Sequence, residues 1–195
     1  INLTPNAVRA LDGLGAGEAA RVTAARPSHR ISRTYDSGAE TSRLEMAESA
    51  EARYGAPQLT IHRADLLAAL AGMFPAERVA LAKRAERIAA DEGGVTISFT
   101  DGSEARVGAL IGADGIHSCV RNAMFGAESP RFTGIVAYRA VVPAERVAGL
   151  PNLGAFTKWW GPNPQSQIVT FPLNRGKDTV SYTHLTLPTT PYVEI

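Results

Sequence analysis

The most informative segment of this chain reads Val107-Gly-Ala-Leu-Ile-Gly-Ala-Asp-Gly-Ile-His-Ser-Cys-Val-Arg121. Its apolar start, residues 107–111, predicts a fully buried strand. Two glycines then lead into a short helix that Ser118 can cap and Gly126 can end. Ligands of open α/β sheets collect at the carboxyl ends of strands. This order of strand, turn and helix therefore predicts an α/β fold with a ligand site at the turn.

The residue types in this turn suit a nucleotide. Gly112 and Gly115 let the backbone turn tightly and approach a ligand closely. A helix that begins near Ser118 would present free N–H groups and a positive dipole end to a pyrophosphate. Asp114 would accept hydrogen bonds from a ligand hydroxyl, a backbone amide or a water, and Arg121 would add charge. On these residues alone, an ordinary Gly-Asp-Gly turn followed by a capping serine remains the alternative.

Two helices are predicted upstream of this segment. The first begins at Thr4 and Pro5, an N-cap and a first helical residue, and its apolar face comprises Val8, Leu11 and Leu14. The second covers residues 62–74 and is stopped by Pro75. Its apolar face comprises Leu66, Leu67, Leu70, Met73 and Phe74, a three-to-four spacing.

Strands are predicted at Arg30–Tyr35, Arg43–Glu48, Val95–Thr100, Glu104–Ile111, Gly134–Val142 and Gln167–Leu173. Asp101-Gly102 is a strong tight-turn signal that joins the third of these strands to the fourth. Residues 78–92 stay open between two structures. Their Ala, Lys, Arg and Glu content favours a helix, whereas the Gly93-Gly94 turn and the alternating residues beyond it favour a hairpin arm.

Composition narrows the class of protein. An apolar fraction of 45% and a charged fraction of 20% are ordinary for a globular protein. The net charge of +1, without a basic run, argues against nucleic acid as a partner. The longest apolar stretch, residues 66–74, is far too short for a membrane span. One cysteine and four scattered histidines give neither a disulfide nor a metal-ligand spacing. We therefore expect a soluble, cytoplasmic α/β protein without a metal.

Both ends of the sequence are unusual for a natural domain. The chain starts at Ile1, and only four residues precede the predicted helix that begins at Pro5. From Ser181 the composition shifts abruptly to threonine and proline, and residues 181–195 resemble translated sequencing-adaptor tails. We therefore predict an internal fragment whose tail, 181–195, is not native. A genuine irregular C-terminal tail is the alternative.

Residues 110–121 resemble, at nearly every position, the Asp-Gly motif of FAD-dependent aromatic-ring monooxygenases related to salicylate hydroxylase and para-hydroxybenzoate hydroxylase. Weaker resemblances to that family occur in the same order at residues 3–15 (its second helix), 62–67 (a segment whose arginine reaches FAD) and 138–143, 160–162 and 171–173 (its substrate-domain sheet). The resemblance covers residues 1 to about 180.

The resemblance implies a mixed α/β architecture. Residues 1–129 would form an incomplete, Rossmann-like FAD-binding domain, and 130–180 part of a β-sheet substrate-binding domain, with the change of domain near residues 127–132. The family's N-terminal Gly-x-Gly-x-x-Gly unit is absent from this sequence. The glycines at 13, 15 and 17 do not supply it, because they follow a helix and Glu18 occupies the position of the third glycine.

The resemblance also implies the chemistry. FAD would be the cofactor, and its contact residues would be Asp114, Gly112, Gly115, Arg63 and Arg121. NAD(P)H, O2 and a small phenolic or benzoate-type substrate would react through a flavin hydroperoxide in a site that excludes water. The aromatic side chains at 156, 159 and 160 could form a wall of that site. No catalytic residue is assigned.

Three functions therefore stay open. The first is a fragment of an aromatic monooxygenase, inactive by itself. The second is another flavoprotein of the same fold, a halogenase or an isoprenoid-lipid reductase. The third is a non-catalytic binding domain in which the Asp-Gly turn is only structural. The oligomeric state is not predicted.

Overall fold

The computed structural model describes residues 1–163 and 165–186 of the 195-residue chain. The helices are α1 (Pro5–Leu14), α2 (Gly17–Thr23), α3 (Glu48–Tyr54), α4 (Arg63–Ala71) and α5 (Cys119–Phe125). The strands are β1 (Asn2–Leu3), β2 (His29–Thr34), β3 (Glu40–Glu45), β4 (Leu59–Thr60), β5 (Ala85–Asp91), β6 (Gly94–Phe99), β7 (Glu104–Val107), β8 (Ile135–Pro143), β9 (Phe156–Trp160), β10 (Gln167–Leu173) and β11 (Asp178–Thr186). Three single 3-10 turns occur at Ala76–Arg78, Ala144–Val147 and Asn174–Gly176.

The chain forms two compact units. One joins residues 1–74 to the residues from 134 onward, and the other is residues 75–133. The first unit therefore takes residues from both predicted domains, 1–129 and 130–180. The binding roles assigned to those two ranges stay predictions.

The first unit contains a six-stranded sheet in the order β3-β2-β9-β10-β11-β8. Strands β2 and β9 run parallel, and the other neighbouring pairs run antiparallel. Its inner face carries a buried apolar cluster of Phe156, Val169, Phe171, Leu173 and Val180. The rings of Phe156 and Phe171 stack with centroids 5.5 Å apart. We call this side the inner face of the sheet.

A second core of the first unit packs α1, α2 and α4 with the short β1–β4 pair. The predicted first helix is confirmed, with Val8 and Leu11 buried and Gly15 ending it at a φ of 83°. Leu14 is 63% exposed, so its assignment to the apolar face is wrong. It lies in the last turn, where the chain already leaves the helix.

The predicted second helix is α4, which begins one residue later than expected. The ring of His62 caps it by accepting a hydrogen bond from the amide of Ala64. Leu66 and Leu70 pack on the helical core, whereas Leu67, Met73 and Phe74 are about half exposed or more. Helix α4 ends at Ala71, so the last two residues of the predicted apolar face do not follow its periodicity.

The second unit is a three-stranded antiparallel sheet, β5-β6-β7, followed by α5. The open choice at residues 78–92 is settled in favour of a hairpin arm, since Asp91 pairs with Gly94 across a tight turn. The Asp101-Gly102 turn joins β6 to β7 as predicted. In the first unit, β3 ends at Glu45 rather than at residue 48, which instead begins α3.

The predicted buried strand at 107–111 is wrong. Strand β7 ends at Val107, residues 108–115 have no regular structure, and Ile111 is 90% exposed. A strand is buried only where neighbours lie on both of its sides. None of the strands among the described residues pairs with this segment.

The last strand, β11, was not predicted from the sequence, and it includes residues 181–186 of the tail whose non-native origin stays a prediction. Strand β11 continues to Thr186, which pairs with Ile135 of β8. Of the tail predicted as non-native, residues 187–195 lie outside the described part of the chain.

Candidate functional site

The Asp-Gly turn is closed by the carboxylate of Asp114. This group accepts hydrogen bonds from the Ser118 hydroxyl at 2.5 Å, the Cys119 amide at 2.6 Å and the Val120 amide at 3.2 Å. Asp114 therefore caps α5 from outside the helix, and its charge complements the positive end of the helix dipole.

Ser118 completes this cap, as the sequence predicts. Its hydroxyl accepts from the Arg121 amide at 2.9 Å, and its carbonyl accepts from the Asn122 amide at 3.2 Å. The Ser118 amide itself donates to the Gly115 carbonyl at 3.1 Å, so the four amides that usually lack partners at a helix start, those of residues 118–121, are satisfied within the chain. The expectation of free N–H groups for a pyrophosphate is wrong in this conformation, because Asp114 occupies the position that an anion would take.

The hydrogen bonds of the cap also set the charge of Asp114. The hydrogen bond from Ser118 is the largest effect, and backbone amides add to it. Together they hold the pKa of this carboxyl below its ordinary value of 3.8. Asp114 is therefore ionised at neutral pH, and a phosphate at the same amides would meet a like charge.

The structure requires glycine at positions 112 and 115 of the turn for two different reasons. A Cβ on Gly112 would lie 2.8 Å from Cβ and Cγ1 of Val120, so this glycine allows the turn to pack against α5. Gly115 has a φ of 82° and open space where a Cβ would stand. Residues 111–117 are exposed. At Gly115 the turn therefore presents bare backbone to its surroundings, as close approach of a ligand requires.

Arg121 braces the turn from the helix side. Its Nη2 donates to the carbonyls of Ile116 at 3.3 Å and Glu128 at 3.4 Å. The guanidinium thus joins the two segments that flank α5. In this structure it serves the loop, and its assignment as a cofactor contact stays a prediction.

Arg63 lies in the first unit, apart from the other four predicted contact residues, which share the second unit. It is the first residue of α4 and borders a cavity of about 410 Å³ between the start of that helix and the inner face of the sheet. Phe156 and Phe171 contribute aromatic rings to this cavity, and Arg139 contributes a second cation.

Arg139 is a cavity residue that the sequence analysis did not single out. Its guanidinium carbon lies 5.9 Å from the centre of the Tyr182 ring. The alternation of β8 places Arg139 on the same face as Val141, which also lines the cavity. The sequence shows the alternation of this strand, but it does not show that the start of α4 packs opposite the strand's face and encloses a cavity with it.

The three aromatic residues proposed as a wall do not all line the cavity. Phe156 is buried on the inner face and lines the cavity. Trp159 lies on the opposite face of β9, opposite Ile168 in register, and Trp160 is 42% exposed. Trp159 faces the side of β9 opposite to Phe156, whereas Trp160 shares the face of Phe156, because alternate strand residues face the same side. Of the three, Phe156 alone lines the cavity.

Neither a metal nor a membrane is indicated within residues 1–163 and 165–186. No group of three or more His, Cys, Asp or Glu side chains there could hold a metal ion. No helix of this described part has the length and apolar character needed to cross a bilayer.

Sequence relatives are aromatic-ring monooxygenases. The chain is 36% identical over 160 residues to 6-hydroxynicotinate 3-monooxygenase of Bordetella bronchiseptica. The matched residues cover 82% of this chain and 42% of that relative. It is 37% identical over 180 residues to 3-hydroxybenzoate 6-hydroxylase of Polaromonas naphthalenivorans, and this match covers 91% of the chain and 44% of the relative. It is 33% identical over 190 residues to salicylate hydroxylase of Pseudomonas putida, and this match covers 90% of the chain and 43% of the relative. No protein-family model matches the chain.

Solved structures agree with these relatives. HpxO of Klebsiella pneumoniae, complexed with FAD and uric acid, superposes with a TM-score of 0.83 at 25% identity, over 97% of this chain and 48% of that protein. A salicylate hydroxylase substrate complex superposes with a TM-score of 0.77 at 27% identity, over 100% of this chain and 50% of that protein. The chain thus spans about half the length of the proteins it matches.

Proposed function

Because the chain belongs to the family of FAD-dependent aromatic-ring hydroxylases, we propose that the whole protein is an FAD- and NAD(P)H-dependent monooxygenase. Its substrate would be a small aromatic ring that carries a hydroxyl group, and O2 would supply the inserted oxygen. The observation that carries this proposal is the agreement, along almost the whole chain, with enzymes whose names specify hydroxylated aromatic rings.

The residues present fit FAD at two places. The exposed turn at 111–117 offers backbone without a side chain at Gly115, where the Cβ position has open space. Arg63 lines the cavity in the first unit and would balance a phosphate. The start of α5 does not fit a phosphate while Asp114 holds its amides. When bound, FAD would supply the redox chemistry that side chains lack.

The chain's own residues would bind and orient the aromatic ring. Phe156 and Phe171 give the cavity an apolar, stacked surface that suits an aromatic ring and keeps water away from it. Arg139 stands at the same cavity as a permanent cation. These residues perform no proton transfer in this proposal, and the catalytic acid or base stays unassigned.

The test is a measurement on the full-length protein. We expect purified protein to carry FAD and to oxidise NADH or NADPH faster when a hydroxybenzoate or hydroxypyridine is added. O2 consumption and a ring-hydroxylated product should accompany that oxidation. A flavin-containing protein that makes halogenated or reduced lipid products would replace this function by the second alternative. A protein without any affinity for flavin would overturn it in favour of a binding domain.

A further inference from the structure

We propose that the outer face of the six-stranded sheet, the side opposite its inner face, is a docking surface for an apolar segment from the other half of the full-length protein. This inference concerns how the protein is assembled, and it goes beyond the proposed function. The cavity with Phe156 and Phe171 lies on the inner face, so the outer face is a separate surface.

The register of the sheet shows which side chains share the outer face. Trp159 of β9 lies opposite Ile168 of β10, and Thr170 of β10 lies opposite Ser181 of β11. Alternation then places the even-numbered residues of β8 and β10 and the odd-numbered residues of β9 and β11 on this face. Where the structure describes the side chains of these four strands, none of the outer-face residues is charged.

This distribution of charge is the reverse of that expected for a sheet face in water. An antiparallel sheet with one solvated face carries its polar and charged side chains on that face. In these strands Arg139 and Lys158 instead lie on the inner face. On the outer face, Tyr138 is 55% exposed and Ile168 is 43% exposed. A sheet face with exposed apolar residues and no charge is typical of a contact with further polypeptide.

Two neighbouring cavities give the outer face a shape that fits a helix. One cavity, of about 410 Å³, lies beside Ile168, and the other, of about 280 Å³, lies beside Leu150. Trp159 and Thr170 line both cavities, and neither cavity has a charged side chain among its described lining residues. Apolar side chains from successive turns of an amphipathic helix occupy neighbouring pockets of this kind.

The other half of the full-length protein is the occupant that this surface favours. The chain spans about half the length of its relatives, so a full-length protein has a comparable length of polypeptide to place here. A covalently linked segment docks at high effective concentration and needs no second molecule. Interfaces that form and dissociate are only about as apolar as ordinary protein surface, whereas an uncharged face across four strands is typical of the buried core of one protein.

The first experiment measures how accessible the outer face is in the full-length protein. Ile168→Cys places a thiol on this face, and Lys177→Cys places one on the exposed turn between β10 and β11. We expect a maleimide to modify the thiol of Ile168→Cys about a hundredfold or more slowly than that of Lys177→Cys, because a covered thiol reacts only when the contact opens. Mass spectrometry of the labelled peptides gives both rates without reference to other cysteines.

Two further measurements separate coverage from other causes of slow labelling. In denaturing urea the two thiols should react at similar rates, since no contact then remains. Thr170→Cys, a small change of volume at the residue that lines both cavities, should be protected like Ile168→Cys. Equal rates for the outer-face thiols and Lys177→Cys in the native protein would overturn the proposal.

The second experiment identifies the occupant. A photo-reactive p-benzoylphenylalanine replaces Tyr138, which is aromatic and exposed on the outer face. Illumination of the full-length protein should cross-link it, within a single polypeptide, to a peptide that is not part of these 195 residues. A cross-link between two polypeptides, with protection of the thiols that disappears on dilution to monomers, would assign the face to a second copy and overturn the proposal.

A cross-link to a peptide within the 195 residues would overturn the proposal as well. Neither experiment depends on flavin or on activity. A full-length protein without flavin would therefore remove the proposed function and leave the docking surface to be judged by labelling and cross-linking.

Discussion

Asp114 illustrates how one carboxylate can serve structure where chemistry was expected. It accepts three hydrogen bonds from the first residues of α5 and its cap. A carboxylate so placed fixes the path of residues 112–118, and this path exposes the backbone at Gly115. The Asp-Gly turn would then contact a ligand through its backbone, with Asp114 as the residue that holds the turn in shape.

Asp114→Asn should therefore destabilise the protein in a pH-dependent way. The folded-state pKa of Asp114 is lowered relative to the unfolded chain. Its contribution is fully present above the unfolded pKa of about 3.9 and is lost as pH falls through the lower, folded-state pKa. Urea midpoints should differ between wild type and Asp114→Asn at neutral pH and converge in acid.

The control for this experiment is Glu92→Gln, which removes an exposed charge from the same unit. Its midpoint should follow wild type at all pH values. A midpoint difference for Asp114→Asn that stays constant from neutral pH into acid would show that the carboxylate charge does not hold the cap.

Gly112 should resist even the smallest side chain. Gly112→Ala places a Cβ 2.8 Å from Val120, and we expect a loss of about 1–3 kcal/mol in the free energy of unfolding. Gly108→Ala is the matched control, because nothing lies within 4 Å of its Cβ position. In a Val120→Ala background the cost of Gly112→Ala should shrink in part, because the contact with Cγ1 is removed while the contact with Cβ at 2.8 Å remains. Equal costs in both backgrounds would contradict the packing explanation.

At the scale of elements, local signals were reliable and burial was not. Thr4-Pro5, Ser118 and Gly126 predicted helix ends, because caps and stops act within a few residues. Asp101-Gly102 predicted a hairpin for the same reason. The apolar run at 107–111 predicted a buried strand, yet burial depends on neighbouring strands that no local pattern encodes. The apolar composition of this run is therefore not evidence that it lies in a sheet.

Residues 78–92 were ambiguous for a different physical reason. Helix propensity is a weak preference that pairing with another strand overrides. Strand β5 pairs with β6 from Ala85 with Phe99 to Asp91 with Gly94, interrupted by a shift of register between Ala85 and Arg87. The tight turn between the two strands is Glu92-Gly93, one residue before the Gly93-Gly94 turn that the sequence predicted.

Thr60 should be the most sensitive link between the helical core and the sheet. Its hydroxyl is fully buried and donates to the carbonyl of Pro172 at 2.5 Å, which joins β4 to β10. Thr60→Val keeps the shape but leaves that carbonyl without its donor. We expect a loss of about 1–3 kcal/mol in the free energy of unfolding, measured by urea denaturation.

Thr157→Val is the comparison for Thr60. Thr157 is also buried, on β9 of the same sheet, and its hydroxyl makes no hydrogen bond to the residues that the structure describes. Its replacement should cost clearly less than Thr60→Val. Equal costs at the two positions would mean that buried volume, rather than the bond to Pro172, determines the effect.

For the whole molecule, the sequence predicted the family more closely than it predicted the site. The twelve residues at 110–121 carried the family, because a motif records residue types in order. The cavity of the first unit is lined both by Arg63, at the start of α4, and by Phe171 on β10. Contacts over such separations depend on the order of strands in the sheet, which periodicity does not supply.

The last prediction concerns cofactor binding by this chain alone. The chain spans about half the length of its relatives, and it has no strand followed by Gly-x-Gly-x-x-Gly to hold a pyrophosphate. The one capped helix start at the Asp-Gly turn is already occupied by Asp114. We therefore expect the isolated chain to emerge from gel filtration without FAD, whereas the full-length protein should retain it. Stoichiometric FAD on the isolated chain would mean that the turn and Arg63 suffice, and that the cap at α5 opens to admit the phosphates.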